Sequence, residues 1–177
     1  MKHFIVLAFW AIVLACPSAI AGTQVLGAEI GVTTSEQLRK ALSKNTKIRD
    51  RGVNQYSGGQ MLATDGSSYD IQGLSEVVYI FNVQGKLAGV IMDMDKNRFA
   101  SIYQLLRQKY KVRSEKRPFV GDQYAIFKPA DATIELDAPH LSFTMEVRYL
   151  RNDLLQKFNA DTAAEEAAKK KTEAEKF

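Results

Sequence analysis

Two apolar runs joined by a glycine turn, and followed at once by an amphipathic helix, occupy residues 76–110. They constrain the fold more than any other stretch. Side chains alternate along a strand, so Val77, Tyr79, Phe81 and Val83 share one face and Val78 and Ile80 the other. Both faces are apolar, which predicts a covered, central strand. Asn82-Val83-Gln84-Gly85 suits a type I turn closed by a left-handed glycine. Ala88, Val90, Met92 and Met94 then share one face of the return strand. Asp95 or Asn97 can cap a helix over 97–110 by accepting from its free amides. Phe99, Ile102, Tyr103, Leu106 and Tyr110 recur at helical spacing and give that helix one apolar stripe.

The remaining segments read as further strands with one more helix. Thr34 with Gln37, or Thr33 with Glu36, forms a capping box for a short helix carrying Leu38, Ala41 and Leu42. Residues 47–53 predict a charged edge strand. Two short strands are expected over 60–64 and 69–72, around a turn at Asp65-Gly66-Ser67-Ser68. Strands are also expected over 111–117, 123–128 and 133–136. The strand over 141–149 has the cleanest alternation: Leu141, Phe143, Met145, Val147 and Tyr149 face one way, and Ser142, Thr144, Glu146 and Arg148 the other. One dry and one wet face argue for an antiparallel sheet. Leu154, Leu155 and Phe158 predict a short closing helix. The expected fold class is α+β, an antiparallel sheet packed on one face by helices. Leu38-Arg39-Lys40-Ala41-Leu42 through Arg49 lines up with Ile102-Tyr103-Gln104-Leu105-Leu106 through Arg113. That likeness suggests a tandem helix-then-strands repeat; chance similarity between two amphipathic helices is the alternative.

The two ends differ from the middle. Lys2, the apolar run from Phe4 to Ala15 and Ala19-Ile20-Ala21 have the form of a signal peptide, residues 1–21, cleaved after Ala21. Val13-Leu14-Ala15-Cys16 resembles a lipobox with its leucine one position out of place, so lipidation at Cys16 is the secondary route. No later segment is apolar enough to predict a transmembrane span. Residues 22–160 suffice for one α+β domain with a real core. Residues 161–177 are dominated by alanine, glutamate and lysine and predict a solvated helix or a disordered tail, with a capping-box pattern at Thr162 and Glu165. The formal net charge of +4 is too modest to imply nucleic acid.

Ile30-Gly31-Val32-Thr33-Thr34-Ser35-Glu36-Gln37-Leu38, with Leu42, resembles the glycine–threonine helix opening of the small outer-membrane lipoprotein of the barrel-assembly machinery. The helix-then-sheet order is similar to that of β-lactamase-inhibitor proteins. The chain lacks the Gly-x-Pro that follows the helix in the lipoprotein family. The resemblance implies a non-enzymatic envelope module that binds other proteins.

Few residues suggest chemistry. Asp93-Met94-Asp95-Lys96-Asn97 opens like a calcium loop, but Arg98 stands where that loop needs glycine and Gln104 where it needs glutamate. A strand end followed by a helix cap explains it better. His140 is the one histidine after the leader and lies near Glu135 and Asp137. A lone histidine could serve a small hydrolase, yet a polar loop residue is the simpler reading. No metal or cofactor motif is present, and none is expected to bind. Arg107, Lys109, Lys111, Arg113, Lys116 and Arg117 cluster around Tyr110. They are candidates for binding an acidic partner, lipid headgroups or phosphate; a charge-guarded edge strand is the plainer account. The reading is an exported, periplasmic, non-catalytic protein-binding or assembly module with an envelope protein partner. The alternatives are a small-ligand or lipid binder, with Tyr79, Phe81, Phe99, Tyr103 and Phe143 around a pocket, and a hydrolase using His140.

Overall fold

The computed structural model describes residues 22–176. The leader and Cys16 lie outside the described residues. Among those residues, eight antiparallel strands form one sheet. They are β3 (Arg49–Val53), β4 (Gly58–Asp65), β5 (Leu74–Asn82), β6 (Leu87–Asp95), β7 (Val112–Lys116), β8 (Gln123–Phe127), β9 (Ala132–Ala138) and β10 (Thr144–Arg151). Two further strands, β1 (Gln24–Val25) and β2 (Ala28–Glu29), form a small hairpin ahead of them. The helices are α1 (Ser35–Leu42), α2 (Phe99–Lys109) and α3 (Asn152–Ala174).

The sheet order is β3-β4-β5-β6-β10-β9-β8-β7. Each half is a helix followed by four strands, α1 with β3 to β6 and α2 with β7 to β10. The halves join where β6 pairs antiparallel with β10. The fold is therefore α+β with a tandem helix-then-strands plan. The central hairpin forms as its sequence predicts: Gly85 takes φ 70°, its amide donates to the Asn82 carbonyl at 2.9 Å, and both flanking strands run nine residues.

Helix α1 opens on the Thr34–Gln37 box, each side chain accepting from the other residue's amide at 3.2 and 2.9 Å. The segment before it docks on the hairpin: the Gly31 amide donates to the Leu87 carbonyl, the Leu87 amide to Thr33, and the Ser35 amide to Gly85. Helix α2 follows a short turn whose amide at Asn97 donates to the Asp95 carboxylate at 2.9 Å. Leu38 from α1 and Phe99, Tyr103 and Leu106 from α2 enter one core with Val77, Tyr79, Phe81, Val90 and Val147. Both helices thus cover the same face, here called inner. On the outer face, Ile80, Ala88 and Leu154 make a second, smaller cluster that holds the first turns of α3.

Several expectations shift. Val83 is exposed, because β5 ends at Asn82 and Val83 belongs to the turn. Ala88 leaves the face of Val90 and joins the outer cluster: a bulge lets Ile80 pair with Gly89 and Phe81 with Leu87, so Leu87 takes the core position. Residues 69–72 form no strand. The Asp65 carboxylate accepts from the Ser67 amide at 2.9 Å and winds Gly66–Tyr69 into a 3-10 turn, and the Tyr69 hydroxyl bonds Thr64 and Tyr79. Strand β10 starts at Thr144, so Leu141 and Phe143 sit exposed in the preceding loop. The closing helix and the tail are one helix, α3, so Thr162 and Glu165 lie inside it and cap nothing.

Candidate functional site

The pairing register lines up charge across the outer face. Asp65 lies opposite Glu76, Glu76 opposite Asp93, Asp93 opposite Glu146, and Glu146 opposite Asp137. Five acids on five adjacent strands therefore make one row, continued by Tyr124 and Lys116. Neighbouring strands lie about 4.8 Å apart, so the row runs roughly 19 Å from first acid to last. Like charges directly opposite repel, and arginines offset part of that. Arg148 holds Glu146 at 2.6 Å, Asp137 at 2.9 Å and Glu135 at 3.3 Å. Arg49 and Arg51 hold the two oxygens of Glu76 at 2.6 and 2.8 Å.

Burial alone would depress the Arg148 pKa. The hydrogen bond and charge of Glu146, with Asp137 and Glu135, outweigh it and hold the guanidinium above its ordinary value. Asp93 makes no ion pair among the described residues. Its burial, and then the charges of Glu146 and Glu76, push its carboxyl up. Beside this row lies a cleft of about 330 Å³ under the start of α3. Its floor is Ile80, Ile91, Leu150 and Leu154, and its wall is Tyr56 packed edge-on against Phe158 at 4.9 Å. Arg148, Glu135 and Glu146 form its polar rim. The outer face thus grades from apolar beside α3 to acidic at the far ends of β5, β6, β9 and β10.

The six basic residues do not form one surface. Arg117 stacks on the Tyr103 ring at 4.1 Å and pairs with Glu115 at 3.2 Å. The Glu115 carboxylate nearby pushes the Tyr103 hydroxyl pKa up, with burial adding to it and Arg117 and Arg107 opposing it. Lys116 points to the outer face opposite Tyr124. A bulge at Arg113 breaks the alternation that would place Lys111 and Arg113 on one face. Lys109 faces away from this edge, at the mouth of a mostly apolar cleft of about 300 Å³ lined by Val25, Met94, Leu106, Tyr110 and Tyr149.

His140 sits exposed in the β9–β10 loop. Its amide donates to Asp122 at 2.7 Å, and its carbonyl accepts from Lys96 at 2.9 Å. The calcium-like acids diverge: Asp93 belongs to the outer row and Asp95 caps the turn before α2. Among the described residues, no three His, Cys, Asp or Glu side chains are grouped to hold a metal ion. No helix among them is long and apolar enough to cross a membrane. The aromatic five do not surround a pocket, since Tyr79, Phe81, Phe99 and Tyr103 are packed core and Phe143 is exposed.

The sequence carries half of the outer site. Glu135 with Asp137, and Glu146 with Arg148, are alternate polar positions in otherwise apolar strands. What aligns them is the register between strands, which no single segment states. In comparisons with known proteins, no family model, no curated protein and no solved structure matches the chain.

Proposed function

We propose that this is an exported, non-catalytic module of the cell envelope that binds a protein partner on the outer face of its sheet. The observation that carries the reading is the grading of that face, an apolar cleft beside α3 running into the acid row from Asp65 to Asp137. A surface that joins an apolar floor, an aromatic wall and ordered charge has the composition of a protein contact. The carboxylates of Glu135, Asp137 and Glu146 are already committed to Arg148, which suits recognition better than proton transfer. Asp93, flanked by acids on both sides, favours a partner that brings lysine or arginine.

The test places a photo-crosslinking side chain at Tyr124, beside the row, and a control at Val53 on the edge strand β3, in the native host. A discrete adduct is expected from position 124 and not from 53, and it should disappear when Asp93 is replaced by Lys. Absence of any adduct from outer-face positions in that host overturns the reading.

A further inference from the structure

Four large apolar side chains stand in water at one corner of the molecule. Phe119 and Val120 lie in the β7–β8 loop, and Leu141 and Phe143 in the β9–β10 loop. Phe119, Leu141 and Phe143 are each more than nine-tenths exposed, and Val120 about two-thirds. The two loops are neighbours. They leave the same end of paired strands, where Gln123 lies opposite Ala138. The His140 amide ties one loop to Asp122 of the other at 2.7 Å. Lys96 braces the second loop from beneath through the Pro139 and His140 carbonyls, and the Lys96 amide donates to Phe143 at 3.0 Å. The tips are thus held on a fastened base, and four side chains that an isolated loop could fold inward are kept outside.

We infer that these two loops are a membrane-docking device that inserts Phe119, Val120, Leu141 and Phe143 into the interface of a phospholipid bilayer. Exposed apolar side chains gathered at one place mark an interaction surface. Here they project from loop tips with no wall around them. A protein groove must match such tips one by one, whereas a lipid interface accepts all of them together. The first loop follows a basic stretch. Arg113, Lys116 and Arg117 precede Phe119, against Glu115 alone. Glu115 is paired to Arg117, and Asp122 accepts from the His140 amide. Lys116 is left to meet lipid phosphate, as basic residues do beside inserted apolar ones. The acid row crosses the outer face at the same strand ends, with Asp137 and Glu146 a few residues inside the second loop and both paired to Arg148, and it serves the separate lateral contact proposed above.

The test is co-sedimentation of the protein, residues 22–177, with vesicles of phosphatidylethanolamine and phosphatidylglycerol in a 3:1 ratio. The wild type should partition onto them. The double variant Phe119→Ser, Phe143→Ser should bind at least tenfold more weakly with an unchanged circular-dichroism melt, because neither side chain packs on the fold. Wild-type protein that stays in the supernatant overturns the inference, as does a double variant that binds as well as the wild type. Analytical ultracentrifugation supplies the other arm. A wild-type dimer that the double variant dissolves would make the tips a self-contact and overturn it equally. Neither arm depends on the outer-face partner, so the two proposals fail separately.

Discussion

At the scale of single residues, Asp93 and Arg148 are the two side chains whose energetics follow most directly from their surroundings. The Asp93 carboxyl is held above its ordinary value of 3.8 by burial and by its acidic neighbours. A raised carboxyl pKa means that the folded chain binds the proton more tightly than the unfolded chain does. Stability therefore falls as pH rises through the window above 3.8, and the ionised group is a net cost at neutral pH. Asp93→Asn should raise the thermal midpoint at pH 7 by roughly 1–3 °C, with the gain vanishing near pH 3. Calorimetry at the two pH values checks both the sign and its disappearance. Arg148 acts in the opposite sense. Removing it strands three carboxylates that are partly screened by water, since its side chain is 29 % exposed. Arg148→Met should lower unfolding stability by about 2 kcal/mol, below the range for fully buried pairs. Urea unfolding reads this as a lower midpoint at unchanged slope.

At the scale of elements, α3 is two things in one helix. Its first turns carry Leu154, which is buried, and Phe158, which packs on Tyr56. Over residues 161–176 no side chain is buried. Alanine, glutamate and lysine are strong helix formers, and they let the helix run on from its anchored start without packing of their own. A chain ending at Asp161 should lose helical signal by circular dichroism yet unfold in urea within about 0.5 kcal/mol of the full chain. Leu154→Ala, which empties a core position, should cost about 2 kcal/mol in the same experiment. The truncation expectation fails if the distal helix docks back on the sheet.

At the scale of the whole molecule, local periodicity was a good guide wherever a segment's neighbours repeated its own logic. The hairpin from Val77 to Met94 and the stripe of α2 are legible because, Val83 and Ala88 apart, each turns toward the core what its spacing says it turns there. Leu38–Arg49 and Ile102–Arg113 occupy equivalent places, the passage from helix to first strand in each half of the sheet. Leu141 and Phe143 mislead for a physical reason. They continue the alternation of β10 past the point where β6 and β9 can pair with it, so the pattern persists and the strand does not. The acid row is hidden for a related cause. Its members come from five strands, and only the register between them sets one beside the next. The basic cluster looked compact along the chain and came apart because a bulge and a strand turned its members in different directions.

The meeting of β6 with β10 also has the form of a subunit interface. Each is the last strand of its half, and they lie antiparallel, as two copies related by a twofold axis would. A lone half would expose that strand's amides and carbonyls along its length, and a second lone half is the nearest thing able to satisfy them. The present chain carries both halves in one polypeptide, so that seam closes within the molecule. Covalent linkage makes the seam independent of concentration, and the two halves need not be alike. One half has a short β5–β6 turn where the other carries the longer β9–β10 tip with Leu141 and Phe143.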